Sequence, residues 1–250
     1  MQSGADDVLN PLIRKLSVVH TLSDMDRAVL HRLCVAGRRV DARQDITLQG
    51  DPPTDLHLVL DGMAYRYKVL PDGSRQIVGV LLPGDFCDLH SEVLGVVDHS
   101  IAALTECVIV DIPPTAINEA IEDSPRIARA LWWASLVDEG TLREWLLNLG
   151  RRQAVERLAH LFCELRLRLR SVGLASEHSY GMPLRQADLA DLLGMTNVHV
   201  NRSLKALREA GLIILVQRRL TIPDVDRLHA FCDFDPTYLH LDRSQPAVGG

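Results

Sequence analysis

The stretch LADLLGMTNVHVNRSLKALREAGLI, Leu189 to Ile213, holds two short helical periods either side of one glycine. Leu189, Leu192 and Leu193 share a face of the first; Val200, Leu204 and Leu207 share a face of the second. Gly194 permits the tight turn between them, and Thr196 stands where a side-chain oxygen caps the second helix. With those faces turned inward, Asn197, Val198, His199, Asn201, Arg202 and Lys205 are left outside, with no acid among them. Such a helix, its positive dipole end leading, suits an extended polyanion better than a single reacting atom.

The next segment, GLIILVQRRLTIPD, reads as strand, basic turn, strand. Such a wing would lay Arg218 and Arg219 against a DNA backbone. Arg202 is then placed for bidentate contact with a guanine edge, Asn201 or Asn197 for adenine or phosphate, and Val198 for a thymine methyl. Lys205, Arg185 and Gln186 are expected to touch the backbone, and Thr196 and His199 complete the candidate DNA-binding set. A plain exposed helix also carries polar residues. The glycine turn, cap, core pattern and basic wing together favour double-stranded DNA over that surface. Charge agrees: residues 1–150 hold 13 Lys and Arg against 22 Asp and Glu, whereas residues 151–250 hold 14 against 11.

Ahead of this unit the pattern divides the chain. Ser23 and Asp26 form a capping-box pair before an apolar helix. From Arg38 to Ile112, short apolar runs are broken by Gly, Pro and Asp about every ten residues, the pattern of a compact sandwich or jelly roll of antiparallel strands, and YRYKVLPDGSRQIVGV reads as a hairpin. Helical period returns after Pro113-Pro114 and runs to Gly150. Leu131, Trp132, Trp133, Ala134, Val137, Thr141 and Trp145 are the candidate dimer interface, because the tandem tryptophans point two ways and invite a second chain. Arg166, Arg168 and Arg170 of the following helix read as a solvated face. The fold class expected is α+β. Residues 1–114 form N-terminal helices plus a β-roll sensor domain, 115–150 a long dimerisation helix, 151–230 a winged helix-turn-helix DNA-binding domain, and 231–250 a C-terminal tail whose last residues are expected to be disordered.

With LQGDPPTDLHLVLDG, LLPGDF and LRQADLADLLGMTNVHVNRSLKALREAGLI in this order, nearly the whole chain resembles the Crp/Fnr superfamily of bacterial transcription regulators. The resemblance implies a cyclic-nucleotide-binding-type β-roll, a dimerising helix and a homodimer on near-palindromic operators, where it recruits or blocks RNA polymerase. Departures are informative. Val198 stands where many members have a glutamate, so guanine reading by Arg202 carries over but cytosine reading does not. In GDFCDLHSEVLGVVDHSIAAL, Asp88 and Leu89 replace the family's Gly-Glu, and His99-Ser100-Ile101 replaces its phosphate-gripping Arg-Ser-Ala. Asp88, Leu89, His99 and Ser100 are therefore effector-pocket candidates, and cyclic AMP is not the expected effector.

No cofactor is expected. The five cysteines, Cys34, Cys87, Cys107, Cys163 and Cys232, are scattered without a C-x-x-C pair, against a zinc ribbon or iron-sulfur cluster, and read as buried thiols. Haem ligation by His57, His90 or His99, or a redox-active thiol, stays open. A cupin-like metal enzyme would need converging His and carboxylate ligands, and no His-x-His pair occurs; a ligand-binding module without DNA binding is the other rival. No membrane span or signal peptide is read, which places the protein in the cytoplasm.

Overall fold

The computed structural model describes residues 10–241. The acidic start and the terminal residues expected to be disordered lie outside the described residues.

Helix α1 (Pro11–Ser17) begins where Asn10 Oδ1 accepts the amides of Leu12 and Ile13. Helix α2 (Asp24–Leu33) begins in the expected capping box: Asp26 N donates to Ser23 Oγ, and Ser23 N to Asp26 Oδ2. Asp26 is buried, which alone would raise its pKa. Hydrogen bonds from Ser124, Ser23 and Arg126 outweigh that and hold the carboxyl well below the usual range.

The β-roll consists of two antiparallel sheets. One has the order β1 (Gly37–Val40), β7 (Cys107–Ile112), β3 (Leu56–Asp61); the other runs β2 (Asp45–Thr47), β6 (Ser100–Ala103), β4 (Ala64–Val69), β5 (Arg75–Leu81). Val40, Val59, Leu81, Ile101 and Ile109 fill the space between them. The predicted hairpin is β4–β5, closed by Leu70 N donating to Ser74 O at 2.8 Å. Gly62 turns from β3 into β4 at φ +83°, where a Cβ would lie 2.3 Å from the Glu106 carbonyl, so no other residue fits there.

After the short helix α3 (Ser91–Leu94) between β5 and β6, the helical segment expected as one dimerisation helix over 115–150 is two, α4 (Pro114–Asp123) and α5 (Pro125–Arg151). Proline disfavours helical backbone in the residue before it, and Ser124 is accordingly extended, with its hydroxyl capping the Ile127 amide of α5. Helix α6 (Ala154–Ser171) follows. Its arginines are not a solvated face: only Arg170 is exposed, Arg166 is buried and donates to Glu177 O, and Arg168 reaches Asp85 and Glu164. Residues 158–166 of that helix are buried without a break, so it is enclosed on every side there and its polar residues must find internal partners.

The winged unit comprises β8 (Ser179–Gly181), α7 (Gln186–Leu193), α8 (Asn197–Glu209), β9 (Ile214–Val216), β10 (Arg219–Thr221) and α9 (Val225–Phe231), with sheet order β8-β10-β9. After α9 the chain turns back over α5 as a strap. Tyr238, in a 3-10 turn over Pro236–Leu239, donates to Glu164 Oε2, which also accepts the Trp145 indole N–H, both at 2.9 Å.

Beside this strap lies His160, wholly buried against Phe234 and Tyr238. Arg152 Nη1 donates to Asn148 Oδ1, which turns the Asn148 amide nitrogen toward His160 Nδ1; the ring is therefore neutral and carries its proton on Nε2, 3.1 Å from Glu144. That carboxylate is engaged by Arg152, and burial, with the Arg152 charge, pulls the His160 pKa down to about 3. The unfolded chain takes up a proton near pH 6.5 that the folded chain refuses, so stability is complete above that pH and is lost as pH falls toward 3. Between pH 7 and 5 the expected loss is about 2 kcal/mol. In denaturant melts the wild type should lose about 2 kcal/mol more than His160→Gln between pH 7.5 and pH 5; equal losses would contradict the buried neutral ring.

Candidate nucleic-acid interface and effector cavity

Gly194, at φ +59°, turns α7 into α8, and Thr196 Oγ1 accepts the His199 amide at 3.3 Å, as the spacing predicted. Leu189, Leu192, Leu193, Val200, Leu204 and Leu207 all face the core. Asn197, Val198, His199, Asn201, Arg202 and Lys205 are all exposed. At 100° per residue, five of them fall within about 140° of one another, and His199 stands on the flank beside Arg202. Among the described residues Arg202 has no hydrogen-bond or ion-pair partner, so its five-donor fork is free. Lys205 is only loosely engaged, 3.6 Å from Glu209.

Arg185 and Gln186 open α7 on the surface, with the Arg185 amide donating to Asp188 Oδ2. The wing turns through Gln217 and Arg218, both left-handed, at φ +49° and +57°. This mirror-image two-residue turn matches the twist of its strands but normally uses Asn or Gly; β10, paired on both sides, holds the two residues in it. Arg218 is exposed at the tip. Arg219 is exposed as well, with one of its donors, Nη2, given to Ser179 Oγ at 2.8 Å.

The inner side of α7 shows residues that sequence reasoning missed. Arg43 of the β-roll grips Asp188 with both terminal nitrogens (2.6 and 2.8 Å), Arg75 holds Asp191 at 2.7 Å, and Gln76 Nε2 donates to Leu192 O. The reading unit is thus clasped to the β4–β5 hairpin and its neighbour. Burial is the largest influence on Asp188 and would raise its pKa, but the hydrogen bonds from Arg43 and the Arg185 amide, with the charges of Arg43 and Arg75, together outweigh it and lower the pKa. The signal available was two acids on the first helix of a unit otherwise selected for cations.

A cavity of about 620 Å³ lies between the β-roll and α5. Asp88, Leu89 and His99 line it, as expected, whereas Ser100 does not; its hydroxyl accepts the Gln49 amide at 2.9 Å, tying β6 to the segment after β2. Asp88 is committed to His57, accepting its backbone N–H (2.7 Å) and meeting ring Nδ1 (2.6 Å). Burial opposes charge on His57, but Asp88, with Asp111 behind it, raises its pKa. Of the other histidines considered for haem, His90 borders the cavity and His99 Nδ1 meets Asp98. All five cysteines are buried thiols, and burial raises the pKa of Cys34, Cys87, Cys107 and Cys163.

A Crp-like helix-turn-helix domain matches residues 156–231, and a cyclic nucleotide-binding domain matches residues 37–124. The nitrogen fixation regulation protein FixK of Bradyrhizobium diazoefficiens is 32% identical over 211 residues, covering 83% of this chain and 87% of that protein. The chain belongs to the Crp/Fnr superfamily. The transcriptional activator protein FnrL of Cereibacter sphaeroides is 29% identical over 195 residues, 76% of this chain and 78% of its own. Among solved structures, that of FixK2 from Bradyrhizobium japonicum superposes with a TM-score of 0.69 at 26% identity, covering 78% of this chain and 97% of that one. The protein is therefore a Crp/Fnr-type transcription regulator with a helix-turn-helix DNA-binding domain.

For a Crp/Fnr member, the face that α5 leaves open matters, and here the structure corrects the sequence reading. Leu131 and Ala134 are buried against the N-terminal helices, Val137 and Thr141 lie under the strap with Leu239 and Leu241, and Trp145 bonds Glu164. Trp133 is half-buried, edge-on to His20. Of the seven dimer candidates only Trp132, 68% exposed, remains open; Leu142, Leu146 (73% exposed) and Leu149 continue its stripe. One apolar face cannot serve both interior and seam, and a pattern of threes to fives did not separate them. Among the described residues no helix is long and apolar enough to cross a membrane.

Proposed function

We propose that this regulator works as a cytoplasmic homodimer on a near-palindromic DNA operator, its two copies joined along α5 and each reading a half-site with α8. The observation that carries the reading is Arg202, exposed and, among the described residues, unpartnered in the middle of a capped helix whose single acid, Glu209, stands at its C-terminal end. Trp132, Ser135, Glu139, Leu142, Leu146 and Leu149 recur at steps of three and four, the spacing of a coiled-coil seam, and the large exposed apolar groups among them need cover. A two-fold axis along that seam would set the α8 helices about one turn of DNA apart, ~34 Å. Arg202 then meets a guanine edge. Asn197, Asn201 and Val198 read or flank neighbouring bases, and Arg185, Gln186, Lys205 and Arg218 contact phosphates. Bound there, the dimer recruits or blocks RNA polymerase; no catalytic step is assigned to it.

Two tests follow directly. The double substitution Leu142→Glu, Leu146→Glu puts four carboxylates into the seam, so sedimentation should show a single 27.8 kDa chain with near-native melting, and operator affinity should fall about 100-fold. A variant still dimeric would place the seam elsewhere. Wild-type affinity should fall with salt, and Lys205→Ala should flatten the log–log slope by roughly 2 for the dimer, one phosphate per copy. An unchanged slope would remove Lys205 from the interface.

A further inference from the structure

We propose that the cavity between the β-roll and α5 binds an uncharged, largely apolar small molecule and not an anion. Its consequence for DNA binding rests on the dimer reading above, because one wall is the helix that carries the seam.

At about 620 Å³ the cavity has the size of an ordinary small-molecule site. Phe86, Leu89, Leu94, Val97 and Leu136 dominate its walls. The cations that might hold an anion are engaged. Arg66 gives Nε to Cys87 O (2.7 Å) and Nη2 to Phe86 O and Asp138 (2.8 and 3.0 Å), while Lys15 is paired with Asp85. Lys68 faces Asp98 at 3.8 Å. Four carboxylates, Asp88, Asp98, Asp138 and Glu139, border the space against those three cations. A phosphate or carboxylate entering here would lose water, gain no uncommitted fork of donors and meet an excess of like charge.

The same wall holds two polar atoms suited to a neutral ligand. Ser91 is 6% exposed, and its Oγ has no hydrogen-bond partner among the described residues; the same is true of His99 Nε2, the far side of the ring held by Asp98. A buried polar atom left so keeps the full cost of its lost hydration. A rotation of either side chain toward a hydroxyl or carbonyl in the cavity would relieve it. Trp132 and Leu142 line the cavity and also lie on the proposed seam, so an occupant would bear on the packing of the two copies.

The test uses the intact protein with three probes: 1-naphthol, the carboxylate analogue 1-naphthoate, which is anionic at neutral pH, and cyclic AMP, followed by calorimetry and by tryptophan fluorescence. Naphthol should saturate one site per chain, at least about tenfold more tightly than naphthoate, with cyclic AMP not competing. Val78→Trp, which fills the cavity from β5, should weaken naphthol about tenfold or more; Ser91→Ala, which removes only a hydroxyl, should weaken it about threefold to tenfold. Naphthoate or cyclic AMP binding as tightly as naphthol, or no naphthol binding at millimolar concentration, overturns the proposal. So does naphthol affinity unchanged in both variants; should Val78→Trp not fold, Ser91→Ala decides alone. Operator binding on the same preparation separates the readings: intact DNA binding without naphthol binding overturns the cavity alone, and naphthol binding without DNA binding overturns the dimeric reader.

Discussion

Replacing Arg202 by alanine should reduce affinity for the operator by roughly 30-fold to 10⁴-fold while leaving folding and dimerisation untouched. The magnitude follows from the geometry. A bidentate contact to guanine is worth about 1–3 kcal/mol, and a two-fold dimer makes it twice. Arg202 is exposed, holds no partner among the described residues and caps nothing, so its removal exposes no buried group and should leave melting within about 0.5 kcal/mol. The loss should also be specific. Binding to random duplex should change far less than binding to the operator, because non-specific affinity comes from phosphate contacts that remain. Arg39→Ala, an exposed charge at the β-roll edge whose side chain pairs, among the described residues, only with Glu106, is the matched control and should leave operator affinity within about twofold. Titrations of labelled operator and random duplex with the three proteins decide the matter; equal loss on both would make Arg202 a phosphate ligand.

The largest effect on stability is expected at Glu164. This wholly buried carboxylate accepts from the Trp145 indole, the Tyr238 hydroxyl and Arg168, and thereby joins α5, α6 and the C-terminal strap at one point. Glu164→Ala orphans two donors, the Trp145 indole and the Tyr238 hydroxyl, and leaves Arg168 to Asp85 and the Val80 carbonyl, at a cost of about 3–5 kcal/mol in denaturant unfolding. Glu164→Gln keeps acceptor and shape and should lose less than half as much. Removing only the strap's bond by Tyr238→Phe should cost about 1 kcal/mol. If Ala and Gln proved equally mild, the strap would be held by its apolar contacts, Leu239 and Phe234, and the polar hub would carry little.

Comparison of these residues with their sequence signals explains what could be read in advance. The reading helix was legible because its information is local: a glycine turn, a threonine cap and an apolar face at 3.6-residue period leave a unique outer surface. The hairpin and the Ser23 capping box were legible for the same reason. Residues whose partners lie far along the chain were not. Arg168 looks like its exposed neighbour Arg170, and only the approach of Asp85 and Glu164 separates them. Trp132 and Trp145 stand about 140° apart on a helical projection, but nothing local says which side of α5 the strap covers. Asp188 and Asp191 acquire meaning only from Arg43 and Arg75, more than a hundred positions away. Even the break at Ser124 had a local cause in Pro125, overridden in the sequence reading by the length of the apolar pattern.

The central claim is that two α8 helices read one operator from a two-fold axis. Selection of bound sequences from a random duplex library by the purified protein at moderate salt tests it most directly. The account predicts an enriched near-palindrome, with half-sites centred about one helical turn apart and a guanine in each that Arg202→Ala no longer selects. Enrichment of a single, unrepeated motif, or of nothing by a protein that is folded and dimeric, would contradict it.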